Sequence, residues 1–198
     1  MQGNYKKIFW TKFDKEFKLI PELILSGMTN SLFKFEIKES SFRINELNPK
    51  DTVAIDIYSH FGSELLAKND LNNDIQIIAG KVNSTNLNNY LSNSSLFMRE
   101  FSSFDIAYAD KYRKEKYNYN YAFSYLLGSF IRYYNKGKLI IPNDTKRLYI
   151  LTNLIEGFNY NGDLTRLIIS RGIESSFIEL ENQKLMNRLN TNIKLLKE

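Results

Sequence analysis

The seven residues Thr52 to Tyr58, TVAIDIY, decide how the first half of the chain is read. β-Branched and aromatic side chains dominate them, which predicts a strand. Asn48-Pro49-Lys50-Asp51 precedes them and supplies a turn, since proline fixes φ and Asn and Asp bond to the local backbone. Working upstream, Phe33, Phe35 and Ile37 alternate with Lys34, Glu36 and Lys38, the period-two pattern of a half-buried strand, and Phe42 and Ile44 continue it. Working downstream, Ile75 to Val82 (IQIIAGKV) is a third run of this kind. A short helix is expected over Glu16 to Leu25, which Pro21 either breaks or restarts. Asn69 to Asn73 and Asn83 to Ser95 are dense in Asn and Ser and read as loops, with one helical turn around Leu87 to Leu91.

From Phe97 onward, helical spacing prevails. Tyr121 to Tyr134 is apolar or aromatic around most of its circumference, which predicts a largely buried helix ended by Gly137. Lys138 to Ile141 follows as a short strand or extended connector. Asp144 is placed to cap a helix running to Ile155 and stopped by Gly157, and Asp163 to cap a short helix over Leu164 to Ser170. Ser176 and Glu179 have the spacing of a capping box at the start of the last helix. Leu185, Leu189, Ile193 and Leu196 line one face of that helix, and Lys184, Arg188, Lys194 and Lys197 line the other. The expected fold is therefore α+β: a strand-rich N-terminal half (about 31–82) packed with a helical C-terminal half (about 97–197). One domain over 1–198 is expected, with sub-parts 1–95 and 96–198.

Composition narrows the function classes. The chain has 198 residues, 43% of them hydrophobic and 14% aromatic, enough for a real core. It has no cysteine, which removes disulfides, thiolate zinc sites, iron–sulfur clusters and cysteine nucleophiles together. Charges interrupt MQGNYKKIFWTKFDKEFK every few residues, so it lacks the apolar run of a signal peptide. No stretch approaches the roughly 18 apolar residues of a membrane span. A soluble, intracellular protein with no membrane span is the expectation. The abundance of Asn, Lys, Ile, Tyr and Phe is the signature of AT-rich codons, so the arrangement of these residues carries more information than their number.

One arrangement stands out. Residues 111–138 hold Lys111, Arg113, Lys114, Lys116, Arg132, Lys136 and Lys138 against a single acid, Glu115. The net charge of that window exceeds the +5 of the whole chain. Seven tyrosines share it: Tyr112, Tyr117, Tyr119, Tyr121, Tyr125, Tyr133 and Tyr134. Cations neutralise phosphates and release counterions, and aromatic faces stack on exposed bases. The expected partner is RNA or single-stranded nucleic acid, contacted through Lys111, Tyr112, Arg113, Lys114, Lys116, Tyr117, Tyr119, Tyr121, Arg132, Lys136 and Lys138. An acidic protein partner is served by the same charges.

Candidate chemistry is sparser. Glu36 and Lys38 share a face of the expected strand, with Glu22 upstream, a pattern that resembles the metal-holding strand of PD-(D/E)xK nucleases. That resemblance implies a magnesium-dependent nuclease using Glu22, Glu36, Lys38 and Asp56, although the first acid is Glu rather than the usual Asp. His60 is the only histidine, which leaves no ligand set for catalytic zinc and makes a partly buried structural role the default. Neither a G-x-x-x-x-G-K-[ST] loop nor G-x-G-x-x-G occurs, so nucleotide-dependent chemistry is not expected. The reading that results is a non-catalytic structural or assembly subunit of a larger complex, such as a ribonucleoprotein, ribosomal or virion component, with no cofactor and with other subunits as partners. The alternatives are the nuclease and a protein–protein interaction module for an acidic partner.

Overall fold

The computed structural model describes residues 11–12, 15–16, 18–28, 52–78, 81–93, 119–142, 145–158, 167–171, 175–180 and 183–197. Six helices lie among the described residues: α1 (Pro21–Met28), α2 (Thr52–Lys68), α3 (Thr85–Asn93), α4 (Tyr119–Tyr133), α5 (Thr145–Phe158) and α6 (Gln183–Lys197). The strands are short: β1 (Thr11–Lys12), β2 (Lys15–Glu16), β3 (Gln76–Ile78), β4 (Lys81–Asn83), β5 (Tyr134–Asn135), β6 (Lys138–Pro142), β7 (Leu167–Arg171) and β8 (Ser175–Leu180). Helix outweighs strand, and the expectation of a strand-rich N-terminal half is wrong.

The deciding stretch is where that expectation fails. TVAIDIY is the first two turns of the 17-residue helix α2. Its buried positions are Ala54, Ile55, Ile57, Tyr58, Phe61, Gly62, Leu65 and Leu66, which recur every three to four residues. Asp56 and His60 fall on the opposite, exposed side. A seven-residue window shows only β-branched residues, and the helical period emerges only when Ser59 to Lys68 is read with it. The helix ends in a Schellman motif: Leu71 N–H donates to the Leu66 carbonyl at 2.9 Å and Asp70 N–H to the Ala67 carbonyl at 3.2 Å. Asp70 takes the left-handed conformation there, with φ of 55°.

The run Ile75 to Val82 is an antiparallel hairpin of β3 and β4 rather than one strand, pairing Ile78 with Lys81. The Asn-rich segment before it is a loop, as expected, and its side chains join α2 to α3. Asp74 accepts the amides of Thr85 (2.9 Å) and Asn86 (3.0 Å) and the hydroxyl of Ser84. Ser84 Oγ in turn accepts the Leu87 amide at 2.9 Å, so α3 begins with a capped first turn. The expected strand at Phe33 to Ile37, its continuation at Phe42 and Ile44, the Asn48–Asp51 turn and the caps at Asp144 and Asp163 lie outside the described residues.

Helix α4 is the centre of the molecule. Ala122 to Phe130 is buried without a break, as its all-round apolar surface predicts. Helix α1 starts at Pro21, whose fixed φ suits the first helical position, and crosses α4 at very close range. A Cβ added to Gly128 would stand 2.0 Å from the Ile24 carbonyl oxygen, and one added to Gly27 would stand 2.2 Å from that of Tyr125. Two backbones come this near only where neither side chain exists. The segment just before α1 is tied to the same helix: Lys18 N–H donates to Asn120 Oδ1 (3.0 Å) and Ile20 N–H to Ser124 Oγ (2.9 Å).

The C-terminal sheet is antiparallel in the order β5-β6-β8-β7. Lys136 and Gly137 form the two-residue turn between β5 and β6, both with positive φ (46° and 88°), the geometry of a type I′ hairpin. Leu139 pairs with Ile178 on the inner face, where both are fully buried. Lys138 pairs with Glu179 on the other face, and the two side chains form an ion pair. Two expectations are corrected here. Ser176 and Glu179 are strand residues of β8 and not a capping box, and Leu167 to Ser170 belongs to β7 and not to a helix. In SSFIEL the alternation of Ser176 and Ile178 inward with Phe177 and Glu179 outward is the signal that outranks the cap spacing. Helix α5 runs past Gly157 to Phe158. The face of α6 matches its expectation: Leu185 and Leu189 are buried, and Ile193 and Leu196 pack against the core. Buried residues from all six helices and from β4, β6 and β8 form one contiguous cluster.

Candidate nucleic-acid interface

The sequence places the candidate interface at 111–138, and the structure divides that window in two. Lys111, Tyr112, Arg113, Lys114, Lys116 and Tyr117 lie outside the described residues, and Tyr119 is described only as the first residue of α4. Tyr121 is half-buried one turn further on. Tyr125 and Tyr133 are buried in the core, and Tyr134 is half-buried with its ring stacked on Phe130 at 5.1 Å. These three rings serve packing, a use that phenol rings share with other aromatics.

The cations divide in the same way. Arg132 is half-buried, and its guanidinium donates to the Met28 carbonyl at 2.5 Å, 5.4 Å from the centre of the Tyr133 ring. Arg147 of α5 comes to the same place from the other side. It is wholly buried, donates to the Gly27 carbonyl at 2.9 Å and lies 4.9 Å from the Tyr133 ring centre. Ser129 Oγ also donates to the Gly27 carbonyl, at 3.2 Å. The last carbonyls of α1 have no partner within the helix, and these three donors supply them at the negative end of the helix dipole. Burial raises the pKa of Tyr58, next to this cluster, above the ordinary phenol range, and the charge of Arg132 opposes that rise. Lys136 and Lys138 are exposed at the β5–β6 hairpin, with Lys138 paired to Glu179.

The nuclease residues are not brought together among the described residues. Glu36 and Lys38 lie outside them. Glu22 is buried in the first turn of α1, where its Oε1 accepts the Tyr90 hydroxyl at 2.9 Å. Burial raises the Tyr90 pKa, the bond to Glu22 and its charge raise it further, and the side chain of Asn69 opposes the change. Asp56 opens to solvent from the outer face of α2 and is not a strand residue. His60 is exposed on that face, and partial desolvation lowers its pKa. No group of three or more His, Cys, Asp or Glu residues with metal-holding geometry occurs among the described residues. No described helix is long and apolar enough to cross a membrane.

Sequence reasoning gave Arg147 no role, although it is the largest fully buried side chain among the described residues. Its position on the buried side of α5, one residue before the core residue Leu148, is the only cue the sequence offers. No protein-family model, curated protein or solved structure matches this chain.

Proposed function

We propose that the protein is a non-catalytic assembly subunit that contacts RNA or single-stranded nucleic acid. The observation that carries this reading is the concentration of charge in residues 111–138, seven cations against one acid in a chain of net charge +5. Polyanion binding draws on such local excess rather than on net charge. The exposed Lys136, at the tip of a rigid two-residue turn, supports it from the described side. With Tyr125 and Tyr133 buried and Arg132 bonded to the Met28 carbonyl, the contact proposed within this window is Lys111–Tyr121, Lys136 and Lys138.

Equilibrium binding of a labelled single-stranded RNA across a salt series tests the proposal. Affinity is expected to fall steeply with salt. Replacing Lys111, Arg113, Lys114 and Lys116 with Gln is expected to lower the log–log salt slope by about 3, at roughly 0.7 per phosphate contact. Absence of binding at about 50 mM salt would reject the reading.

A further inference from the structure

The four strands of the C-terminal sheet, YN, KLIIP, LIISR and SSFIEL, hold a single acid, Glu179. Register places that residue directly opposite Lys138, the only cation of β6. Directly paired strand residues have Cβ atoms about 5 Å apart on one face, so the backbone itself keeps the two charges together. They form an ion pair, and their side chains keep 49% and 35% of their surface in solvent, open to exchange. Asn135, opposite Lys138 on its other side, is exposed and neutral. Lys136 is placed differently. It stands in the β5–β6 turn in the left-handed conformation, with φ of 46°. It is exposed, and among the described residues no hydrogen bond or ion pair engages its ammonium group.

We infer that Glu179 is an internal competitor for the phosphate backbone of a bound nucleic-acid strand at this hairpin. The inference rests on the function proposed above and states how two of its cations are used. A phosphate reaches Lys136 outright. It reaches Lys138 only by displacing the Glu179 carboxylate, an anion that already engages the same ammonium group. The exchange replaces one anion by another, so it gains little Coulomb energy, and the released carboxylate then repels the phosphates beside it. Lys138 therefore adds less affinity than Lys136, and Glu179 limits how tightly the hairpin holds a strand. An ion pair between solvent-exposed side chains is weak enough for a polyanion to open. The same reasoning favours nucleic acid over an acidic protein. A lone carboxylate on a protein partner offers Lys138 nothing that Glu179 does not supply, whereas a strand brings a row of charges and releases its condensed counterions.

The test uses the full chain, a labelled oligouridylate as probe and a salt series. Glu179→Gln keeps the shape of the side chain and removes its charge, and it should tighten binding about threefold at low salt, the scale of an exposed ion pair. The gain should vanish when Lys138→Gln is present, because it acts through that one ammonium group. Lys136→Asn should weaken binding about fivefold and lower the salt slope by about 0.7, and Lys138→Gln should weaken it less. Asn is favoured in a type I′ turn, so Lys136→Asn is read in a folded protein, and its comparison with Lys138→Gln decides the matter if Glu179→Gln lowers the thermal midpoint. Unchanged or weaker binding in a folded Glu179→Gln variant overturns the inference and leaves the proposed function standing. A gain that persists alongside Lys138→Gln, or a larger loss from Lys138→Gln than from Lys136→Asn, does the same. Failure of the unmodified chain to bind the probe at about 50 mM salt overturns both. Equally tight binding of polyglutamate, with the same ranking of variants, overturns nucleic acid as the partner class.

Discussion

Helices α4 and α6 are both 15 residues long and both basic in their charged residues, yet they use charge in opposite directions. Helix α4 is buried from Ala122 to Phe130, and its one cation, Arg132, bends back to hold the Met28 carbonyl. Helix α6 buries a single leucine-rich stripe and leaves Lys184 and Lys194 in solvent. A count of basic residues along the chain ranks the α4 window first. Burial shows that the cation of α4 supports the fold, whereas Lys184 and Lys194 of α6 stand on its exposed face. Charge in a sequence locates an interface only after the helical face that bears it is known.

That contrast can be broken most sharply at the crossing of α1 and α4. Gly128→Val places a side chain where the Ile24 carbonyl stands, and the backbones must separate. A loss of about 3 kcal/mol or more is expected, read from the denaturant midpoint. A fully folded variant with unchanged midpoint would contradict the close crossing. Next in size is Arg147→Met, which removes a charged donor from the Gly27 carbonyl and a cation from the Tyr133 ring. It is expected to cost about 2 kcal/mol, read from the same denaturant midpoint. Lys194→Gln on the exposed face of α6 should leave stability within about 0.5 kcal/mol of the parent by the same measurement. If Lys194→Gln destabilised the fold more than Arg147→Met did, the division between inward and outward charge would be wrong.

Much of this division was legible in the sequence. The all-round apolar character of Tyr121 to Tyr134 identified a buried helix, and the leucine spacing after Leu185 identified the inner face of α6. TVAIDIY misled because β-branched composition speaks before periodicity in a short window, and Ala54, Ile57, Phe61 and Leu65 reveal the helix only over three turns. Ser176 and Glu179 misled because a cap spacing of three residues is also met by two positions on opposite faces of a strand. The orientation of Arg132 was not legible. It depends on α1, about 100 residues away in the chain, and no local pattern encodes that distance.

Asp74 supplies a smaller and pH-dependent effect. Burial is the largest single influence and opposes its ionisation, but the Ser84 hydroxyl and the amides of Asn86 and Thr85 together outweigh it and hold the pKa below the ordinary value of 3.8. A depressed carboxylate contributes stability above its unfolded value and loses it as pH falls through the folded one. Asp74→Asn should therefore be less stable than the parent at neutral pH, by about 1 kcal/mol for a lost helix cap, and the gap should close below pH 3.8. Paired denaturant titrations from neutral pH into the acid range provide the measurement, and a gap that persists in acid would assign the loss to packing instead.

The glycine crossing also sets the order in which the chain can assemble. The bonds that hold α1 span 102 to 120 residues, from Ile20, Gly27 and Met28 to Ser124, Ser129, Arg132 and Arg147. Such remote partners meet only after a long loop has closed, and that closure carries an entropic cost before any contact rewards it. A nascent chain therefore emerges with its first helix unmatched until the centre of the molecule has been synthesised, and removal of residues 18–28 would leave Gly128 facing an empty groove in the middle of the core.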